Sequence, residues 1–150
     1  MALRRRLFRE GPVGLDTVAF IYFMEDRAEY MPLLEPLFGR MARGEALGVT
    51  SDLTLLEVLV VPYRAGDFDL AERYESLLTR SRGLLSVPVN RGQLKAAARI
   101  RAVHGLKTPD ALQIAAALSM GCPSFVTNDR EIPPIPGLEV VQLRDLLRRS

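Results

Sequence analysis

Residues 106–118 read Leu-Lys-Thr-Pro-Asp-Ala-Leu-Gln-Ile-Ala-Ala-Ala-Leu, and the rest of the chain is organised around them. Thr108 is suited to cap a helix, and Pro109 suits a first turn, where its missing N–H leaves no bond unmade. Asp110 follows at once, at the positive end of the helix dipole, where an acid stabilises a helix by roughly 0.3–1 kcal/mol. A helix is therefore predicted to begin here, with Asp110 in its first turn.

The body of this helix is almost entirely apolar. From Ala111 to Met120 the only polar side chains are Gln113 and Ser119. A helix without a polar face is buried on most of its surface, so this one is predicted to be central. The helix dipole alone can explain Asp110, and a functional role for this acid requires other acids nearby.

The length and composition are those of one globular domain over residues 1–150. Apolar residues make up 48% of the chain and charged residues 25%, which is ordinary for a folded protein. The longest apolar runs, at residues 18–24 and 58–62, are far below the ~20 residues that span a bilayer. The basic start at residues 1–9 has no apolar region after it, so it is not a secretion signal. The single cysteine, Cys122, excludes an internal disulfide and fits a reducing cytoplasm. We therefore expect a cytoplasmic protein with no membrane segment.

The basic residues are unusual in type. The net charge is only +2, but 18 of the 20 basic residues are Arg. Arg forms planar, two-pronged hydrogen bonds to phosphate, so an Arg-rich surface suits a polyanion such as nucleic acid. A bias in genomic composition or adaptation to heat explains the same excess, so composition permits a nucleic-acid partner without requiring one.

Short apolar segments alternate with helical patterns along the whole chain. Strands are predicted at residues 12–15, 46–50, 84–89, 124–127 and 138–143. Besides the central helix, helices are predicted at 17–25, 31–43, from Ser51 onward, and at 67–80, 90–103 and 144–149. This alternation is typical of an α/β fold in which helices cover both faces of a parallel sheet.

Two acids follow predicted strands. Asp16 ends the first strand, and Asn128 and Asp129 follow the strand at 124–127. Ligands of parallel sheets bind outside the carboxyl ends of the strands, so both acids are candidates for a ligand crevice. Each also has a structural explanation, Asp16 as a helix N-cap and Asn128-Asp129 as turn residues.

Glu57 is the acid that local structure explains least. It shares one predicted helix face with three apolar residues, Leu53, Leu56 and Val60. A buried, unpaired carboxylate is costly, so at a core-facing position Glu57 needs a cation, a set of hydrogen bonds or a cleft. The alternative is a local fault in the periodicity.

Four motifs follow one another over residues 15–130. They are Leu-Asp-Thr at 15–17, Ser51-x-x-Thr54-x-x-Glu57, Pro-Asp-Ala-Leu-Gln-Ile-Ala-Ala-Ala at 109–117, and Phe-Val-Thr-Asn-Asp-Arg at 125–130. In order and spacing they resemble the motifs of the PIN domain, in particular the toxin nucleases of the VapBC type. Each motif is weak alone, but four in register cover nearly the whole chain.

The resemblance implies a three-layer α/β/α fold with a central parallel sheet of four or five strands. It also implies an endoribonuclease in which four acids converge on one or two Mg²⁺ or Mn²⁺ ions, namely Asp16, Glu57, Asp110 and Asp129. Supporting polar positions then fall, by the same resemblance, on Thr17, Ser51, Thr127 and Asn128. The sequence departs from the family at Val18, where Asn is frequent, and at Ile132, where an aromatic residue is common; neither change removes an expected metal ligand.

The chemistry of these side chains agrees with that expectation. Four carboxylates in one crevice repel one another and partly protonate unless a divalent cation neutralises them. Oxygen ligands without His or Cys favour Mg²⁺ or Mn²⁺ over Zn²⁺. With the four acids set aside, the rest of the chain is markedly basic, as binding to an RNA backbone requires.

The resemblance further implies an RNA substrate, a cognate antitoxin protein that covers the acidic site, and a homodimer. One alternative is a PIN-like module that has lost catalysis and binds RNA or protein, although retention of all four acids argues against it. A second is a receiver-like phosphoacceptor domain, which also carries acids at strand ends. That domain needs adjacent acids after its first strand, and Asp16 has no acidic neighbour.

Overall fold

Short strands and longer helices alternate through residues 11–147, the part of the chain that the computed structural model describes. The strands are β1 (Val13–Leu15), β2 (Gly48–Ser51), β3 (Leu84–Val87), β4 (Ser124–Thr127) and β5 (Glu139–Gln142). The helices are α1 (Thr17–Met24), α2 (Met31–Ala42), α3 (Leu53–Ala65), α4 (Phe68–Arg80), α5 (Arg91–His104), α6 (Thr108–Ser119) and α7 (Leu143–Leu147). The basic start at 1–9 and the end of the predicted tail helix, at 148 and 149, lie outside the described residues. The other predicted elements are present, with ends that differ by one or two residues.

The five strands form one parallel sheet in the order β3-β2-β1-β4-β5. The winding reverses between β1 and β4, where Val13 pairs with Ser124 and Leu15 with Val126. In doubly wound sheets the ligand crevice lies at the carboxyl ends of the strands at this switch point. Asp16 follows β1 directly and Asp129 comes two residues after β4, so the topology brings both to that crevice.

The sheet separates two apolar cores, one on each face. On one face, Leu15 and Val126 pack with α1, α2, α4 and α7; on the other, Val49 and Phe125 pack with α5 and α6. The fold is therefore the expected three-layer α/β/α arrangement with a five-stranded parallel sheet.

The connection from β3 to β4 contains two helices, and this places the start of α6 near the crevice. α5 and α6 pack along each other and are joined by residues 105–107 only. At the start of α6, Asp110 interacts electrostatically with Asp16. One turn further, the Gln113 side chain accepts a hydrogen bond from the Ser51 N–H at 3.1 Å. The additional helix thus allows α6 to begin at the carboxyl edge of the sheet and to run back to the start of β4.

The prediction that Thr108 caps this helix is wrong. Lys107 is the N-cap of α6, and no side chain makes a capping hydrogen bond there. Thr108 is the first residue of the helix itself, so its hydroxyl stands one residue beyond the position from which an N-cap side chain accepts from the first turn.

The predicted buried face of α3 is also wrong. Leu56 is 62% and Val60 37% exposed, and the residues buried instead are Thr54, Val58 and Pro62. The physical reason is that Thr54 is polar yet fully hydrogen-bonded inside the fold, so the buried face does not coincide with the most apolar face.

Within residues 11–147, no helix combines the length and the apolar character that crossing a membrane requires.

Substituting Gly14 is expected to separate α6 from the sheet. A Cβ at this position would lie 2.9 Å from the Ala117 Cβ and 2.9 Å from the Phe125 ring, so Gly14→Ala should lower the free energy of unfolding by about 1–3 kcal/mol. Urea denaturation measures this change. The control is Gly92→Ala on the exposed side of α5, where the nearest atom is 3.4 Å away and alanine should stabilise the helix by up to about 1 kcal/mol. Equal effects at the two positions would contradict the close approach.

Candidate active site

Asp16 is fixed at the end of β1 by a hydrogen bond to each of its oxygens. Oδ1 accepts from the Thr17 N–H at 2.9 Å, which makes Asp16 the N-cap of α1, and Oδ2 accepts from the Thr127 hydroxyl at 2.7 Å. Burial raises the pKa of Asp16, the charges of Glu57 and Asp129 raise it further, and the two hydrogen bonds act in the opposite direction. The structural explanation of Asp16 as a cap therefore holds together with its position among other acids.

Asp129 is presented by a turn that follows β4. Its N–H donates to the Thr127 hydroxyl oxygen at 3.0 Å, and its Oδ1 accepts from the Glu131 N–H at 2.9 Å. Its carbonyl oxygen accepts from Gln142 Nε2 at 2.9 Å. Thr127 thus contacts both acids, since its hydroxyl donates to Asp16 while it accepts from the backbone of Asp129.

Asp110 completes a group of three interacting acids. Its pKa is raised to about 6, first by burial, then by the charges of Asp129 and Asp16 and by a hydrogen bond with the Asp129 side chain, while Lys107 lowers it. The fold therefore brings Asp110 into the crevice, close enough to Asp129 and Asp16 for the three carboxylates to repel one another when ionised.

Glu57 reaches this group through Thr17. Its Oε1 accepts from the Thr17 hydroxyl at 2.7 Å, and its charge acts on Asp16. The side chain is half-buried. The hydrogen-bond partner that a carboxylate needs at such a position is thus supplied by the residue that follows Asp16.

Two of the predicted supporting residues are engaged in holding the backbone. The Ser51 hydroxyl accepts from the Leu53 N–H at the start of α3. The Asn128 side chain donates to the Tyr30 hydroxyl at 2.9 Å and accepts from the Arg144 N–H at 3.1 Å. Asn128 also donates to the Tyr22 hydroxyl at 3.4 Å. These contacts join the turn after β4 to α1, to the N-cap of α2 and to α7, and none of them is with an acid of the crevice.

The sequence-based interpretation missed a set of buried polar residues beneath the acids. Thr50, Thr54 and Gln113 are each at most 2% exposed and are joined by hydrogen bonds. The signal that could have found them is Gln113 itself, because an amide in an otherwise apolar helix must find partners when it is buried.

The donor set suits a hard cation in its chemistry. The four acids offer carboxylate oxygens only, which is the ligand type that Mg²⁺ and Mn²⁺ prefer. A divalent cation would also offset the repulsion between the Asp110 carboxylate and those of Asp129 and Asp16. Among the described residues, however, no three acidic, His or Cys side chains are arranged around a common point as ligands of one ion. The acids therefore fit a metal ion in the type of their donor atoms and in their closeness to one another.

Removing the Asp110 carboxylate is expected to stabilise the metal-free protein near neutral pH. Folding raises the pKa of Asp110 from 3.8 to about 6, so the folded state binds this proton more tightly, and stability is lost as pH rises from about 4 to 6. In EDTA, the Tm of Asp110→Asn should equal that of the wild type at pH 4. At pH 7 the Tm of the variant should be ~2–4 °C higher, which corresponds to roughly 1 kcal/mol of unfolding free energy once solvent screening is allowed for. Thermal unfolding across this pH range tests the prediction, and a Tm difference that does not change with pH would contradict it.

Comparisons with known proteins agree with this architecture. In structure, the chain is similar to a toxin–antitoxin complex from Klebsiella pneumoniae, with a TM-score of 0.66 and 21% identity over 88% of this chain and 97% of that chain. It is also similar to VapBC2 from Rickettsia felis bound to a DNA fragment from their promoter, with a TM-score of 0.65 and 16% identity over 87% and 97% of the two chains. A third similar structure is a protein of Pyrobaculum aerophilum, with a TM-score of 0.55 and 22% identity over 93% of this chain and 96% of that chain. At these identities the similarity concerns the fold.

No curated protein sequence matches the chain significantly. A family model described as the PIN domain does match, over residues 13–138. This range includes all four motifs and the strands β1 to β4. By this match the chain belongs to the PIN domain family.

Proposed function

We propose that this protein is an Mg²⁺- or Mn²⁺-dependent endoribonuclease and the toxin of a toxin–antitoxin pair. The observation that carries the proposal is the meeting of Asp16, Asp110 and Asp129 at the switch point of the sheet, where their charges act on one another. Such repulsion costs folding stability, so the arrangement is better explained by a cation that the acids bind. Membership of the PIN domain family, whose members are nucleases, supports hydrolysis of nucleic acid.

Asp16 and Asp110 are the proposed principal ligands, for one or two ions, with Glu57 and Asp129 completing the site directly or through water. When bound, a divalent ion would activate water at neutral pH and balance charge on the phosphate. The overall reaction would be hydrolysis, in which a water oxygen bonds to phosphorus, the P–O bond in line with it breaks, and the leaving oxygen takes up a proton.

The residues of the chain prepare this chemistry by fixing the carboxylates. Thr127 and the Thr17 N–H each bind one oxygen of Asp16, which leaves a lone pair on both oxygens for a further ligand. The Thr17 hydroxyl binds Glu57 in the same way.

A basic helix face supports RNA as the substrate. Arg91, Lys95 and Arg99 recur every four residues along α5, are exposed, and form no ion pair with any residue in the range 11–147. Unpaired Arg and Lys side chains contribute to nucleic-acid binding by releasing counterions from phosphates. The predominance of Arg in the whole chain is in keeping with the same partner.

An exposed apolar stripe supports protein partners, which we propose to be an antitoxin and a second copy of the chain. Leu56 is 62% exposed, Tyr63 53% and Phe68 66%, and the rings of Tyr63 and Phe68 are 6.2 Å apart. Contiguous apolar surface of this kind is typical of interaction sites. The toxin–antitoxin assemblies among the structurally similar proteins favour the same interpretation.

Asp16→Asn is expected to abolish cleavage and to leave the fold intact. We expect the rate of cleavage of a single-stranded RNA to fall by at least about 100-fold. Loss of a residue that only hydrogen-bonds to a metal ligand typically costs about 10–100-fold, and loss of a ligand itself should cost more. Gel analysis of RNA and DNA oligonucleotides of one sequence, with Mg²⁺, Mn²⁺ or EDTA, measures the rate, and circular dichroism checks the fold. The matched control is Asp69→Asn, an exposed acid of α4, which should cleave like the wild type.

Full activity of Asp16→Asn, or wild-type cleavage that persists in EDTA, would contradict the proposed mechanism. A wild-type protein that binds RNA without cutting it, and whose Tm does not respond to Mn²⁺, would instead be a binding module.

A further inference from the structure

Gln113 is the centre of the buried network beneath the acids. Its side chain is 2% exposed and stands on α6, one turn beyond Asp110. Its amide is hydrogen-bonded to residues of β2, α3 and α1. Of these elements, α3 carries Glu57 and α1 begins directly after Asp16. A side chain in this position can connect the packing of α6 to the geometry of the acids.

The bonds of the amide determine which way round it lies. Gln113 Oε1 accepts from the Ser51 backbone N–H at 3.1 Å, and since a backbone N–H can only donate, this end must be the oxygen. Nε2 then faces two hydroxyl oxygens, Thr54 Oγ1 at 2.7 Å and Thr17 Oγ1 at 3.3 Å. Both amide hydrogens are therefore directed at threonine hydroxyls.

A hydroxyl that accepts from Gln113 has its own single proton available for another acceptor. The Thr17 hydroxyl donates to Glu57 Oε1 at 2.7 Å. On the other branch, Thr54 lies 2.7 Å from Thr50 Oγ1, and Thr50 donates to the Leu15 carbonyl oxygen at 2.9 Å. Thr50 also lies 3.3 Å from Gln113 Oε1, a second acceptor for its proton. Because that proton is used on one of these two acceptors, Thr54 is the donor in its bond to Thr50.

Two chains of hydrogen bonds thus begin at this amide. The first runs from Gln113 through Thr17 to Glu57, and the second runs through Thr54 and Thr50 to a backbone carbonyl of β1. We infer that Gln113 is a positioning residue of the nuclease, which holds the Thr17 hydroxyl as a donor to Glu57 and so keeps this carboxylate in place for the cation. This inference rests on the proposed function.

Three substitutions separate positioning from stability. Gln113→Met keeps the length of the side chain and removes the amide. Thr17→Val removes the donor to Glu57. Thr50→Val is the matched control. It removes the hydroxyl that donates to Leu15 and lies 3.3 Å from Gln113 Oε1, but the bonds of Oε1 to the Ser51 N–H, of Nε2 to both other threonines, and of Thr17 to Glu57 do not involve it.

The direct measurement is the dissociation constant of Mn²⁺, from the electron paramagnetic resonance signal of the free ion, which does not depend on cleavage. Gln113→Met and Thr17→Val should each weaken Mn²⁺ binding or lower kcat at saturating Mn²⁺ by about 10–100-fold. Thr50→Val should lower the Tm as much as Gln113→Met does, with Mn²⁺ affinity and kcat within about threefold of wild type, because a buried hydrogen bond is lost but no carboxylate is released.

A double-mutant cycle tests whether Gln113 acts through Thr17. If it does, Gln113→Met adds no further loss of kcat in the Thr17→Val background. Multiplicative losses, or losses in Gln113→Met that Thr50→Val reproduces at equal Tm, would overturn the inference. If Gln113→Met does not fold, Gln113→Glu replaces it, since the new carboxylate still accepts from Ser51 but cannot donate to Thr17 when ionised; wild-type kcat in that variant would overturn the inference as well.

The two proposals fail in different ways. A wild-type protein that neither binds Mn²⁺ nor cleaves RNA overturns the proposed function, and with it the role of Gln113. A wild-type nuclease that is inactivated by Asp16→Asn but indifferent to Gln113→Met overturns only the positioning role.

Discussion

The contact between Ala117 and Gly14 governs the position of α6, and α6 carries two of the residues on which the site depends. Because neither residue has a side chain beyond Cβ, the helix lies directly against the central strand of the sheet. Asp110 and Gln113, three positions apart on this helix, are neighbours on its surface. The apolar body of α6 is buried almost throughout, so the helix cannot slide or turn without exposing that surface, and the acid and the amide are held in place by packing.

Threonine hydroxyls connect the acids to this rigid frame. Thr127 joins Asp16 to the turn that carries Asp129, and Thr17 joins Glu57 to Gln113. A hydroxyl can donate to one group and accept from another, which makes it suited to link a carboxylate to a neutral partner. Hydrogen bonds to charged groups contribute more than those between neutral groups, so these links offset part of the repulsion that comes from placing acids together.

Features that depend on neighbouring residues could be predicted from the sequence, and features that depend on distant ones could not. The strands and most helix ends follow local patterns, and Asp16 was recognisable as a cap because its partner is the next residue. The face of α3 was mispredicted because the buried Thr54 hydroxyl has hydrogen-bond partners that are distant in sequence, among them Gln113, 59 positions away. Asp110 lies at the carboxyl edge of the sheet because two helices, rather than one, connect β3 to β4. The alternation of strands and helices in the sequence does not indicate at which edge the second of these helices begins. The family resemblance supplied that position, and local physical chemistry alone did not.

The insertion of β4 beside β1 has a consequence for a chain that is still being synthesised. Thr127 and Asp16 are 111 positions apart, and β4 pairs with β1 as well as with β5. Until β4 has left the ribosome, β1 is an edge strand, and Asp16 has neither its Thr127 partner nor the neighbouring Asp129. Long-range strand pairing forms late because its loop must close first. A nascent chain that ends before β4 therefore already carries Asp16, Glu57 and Asp110 but lacks the strand pairing that brings Asp16 and Asp129 together.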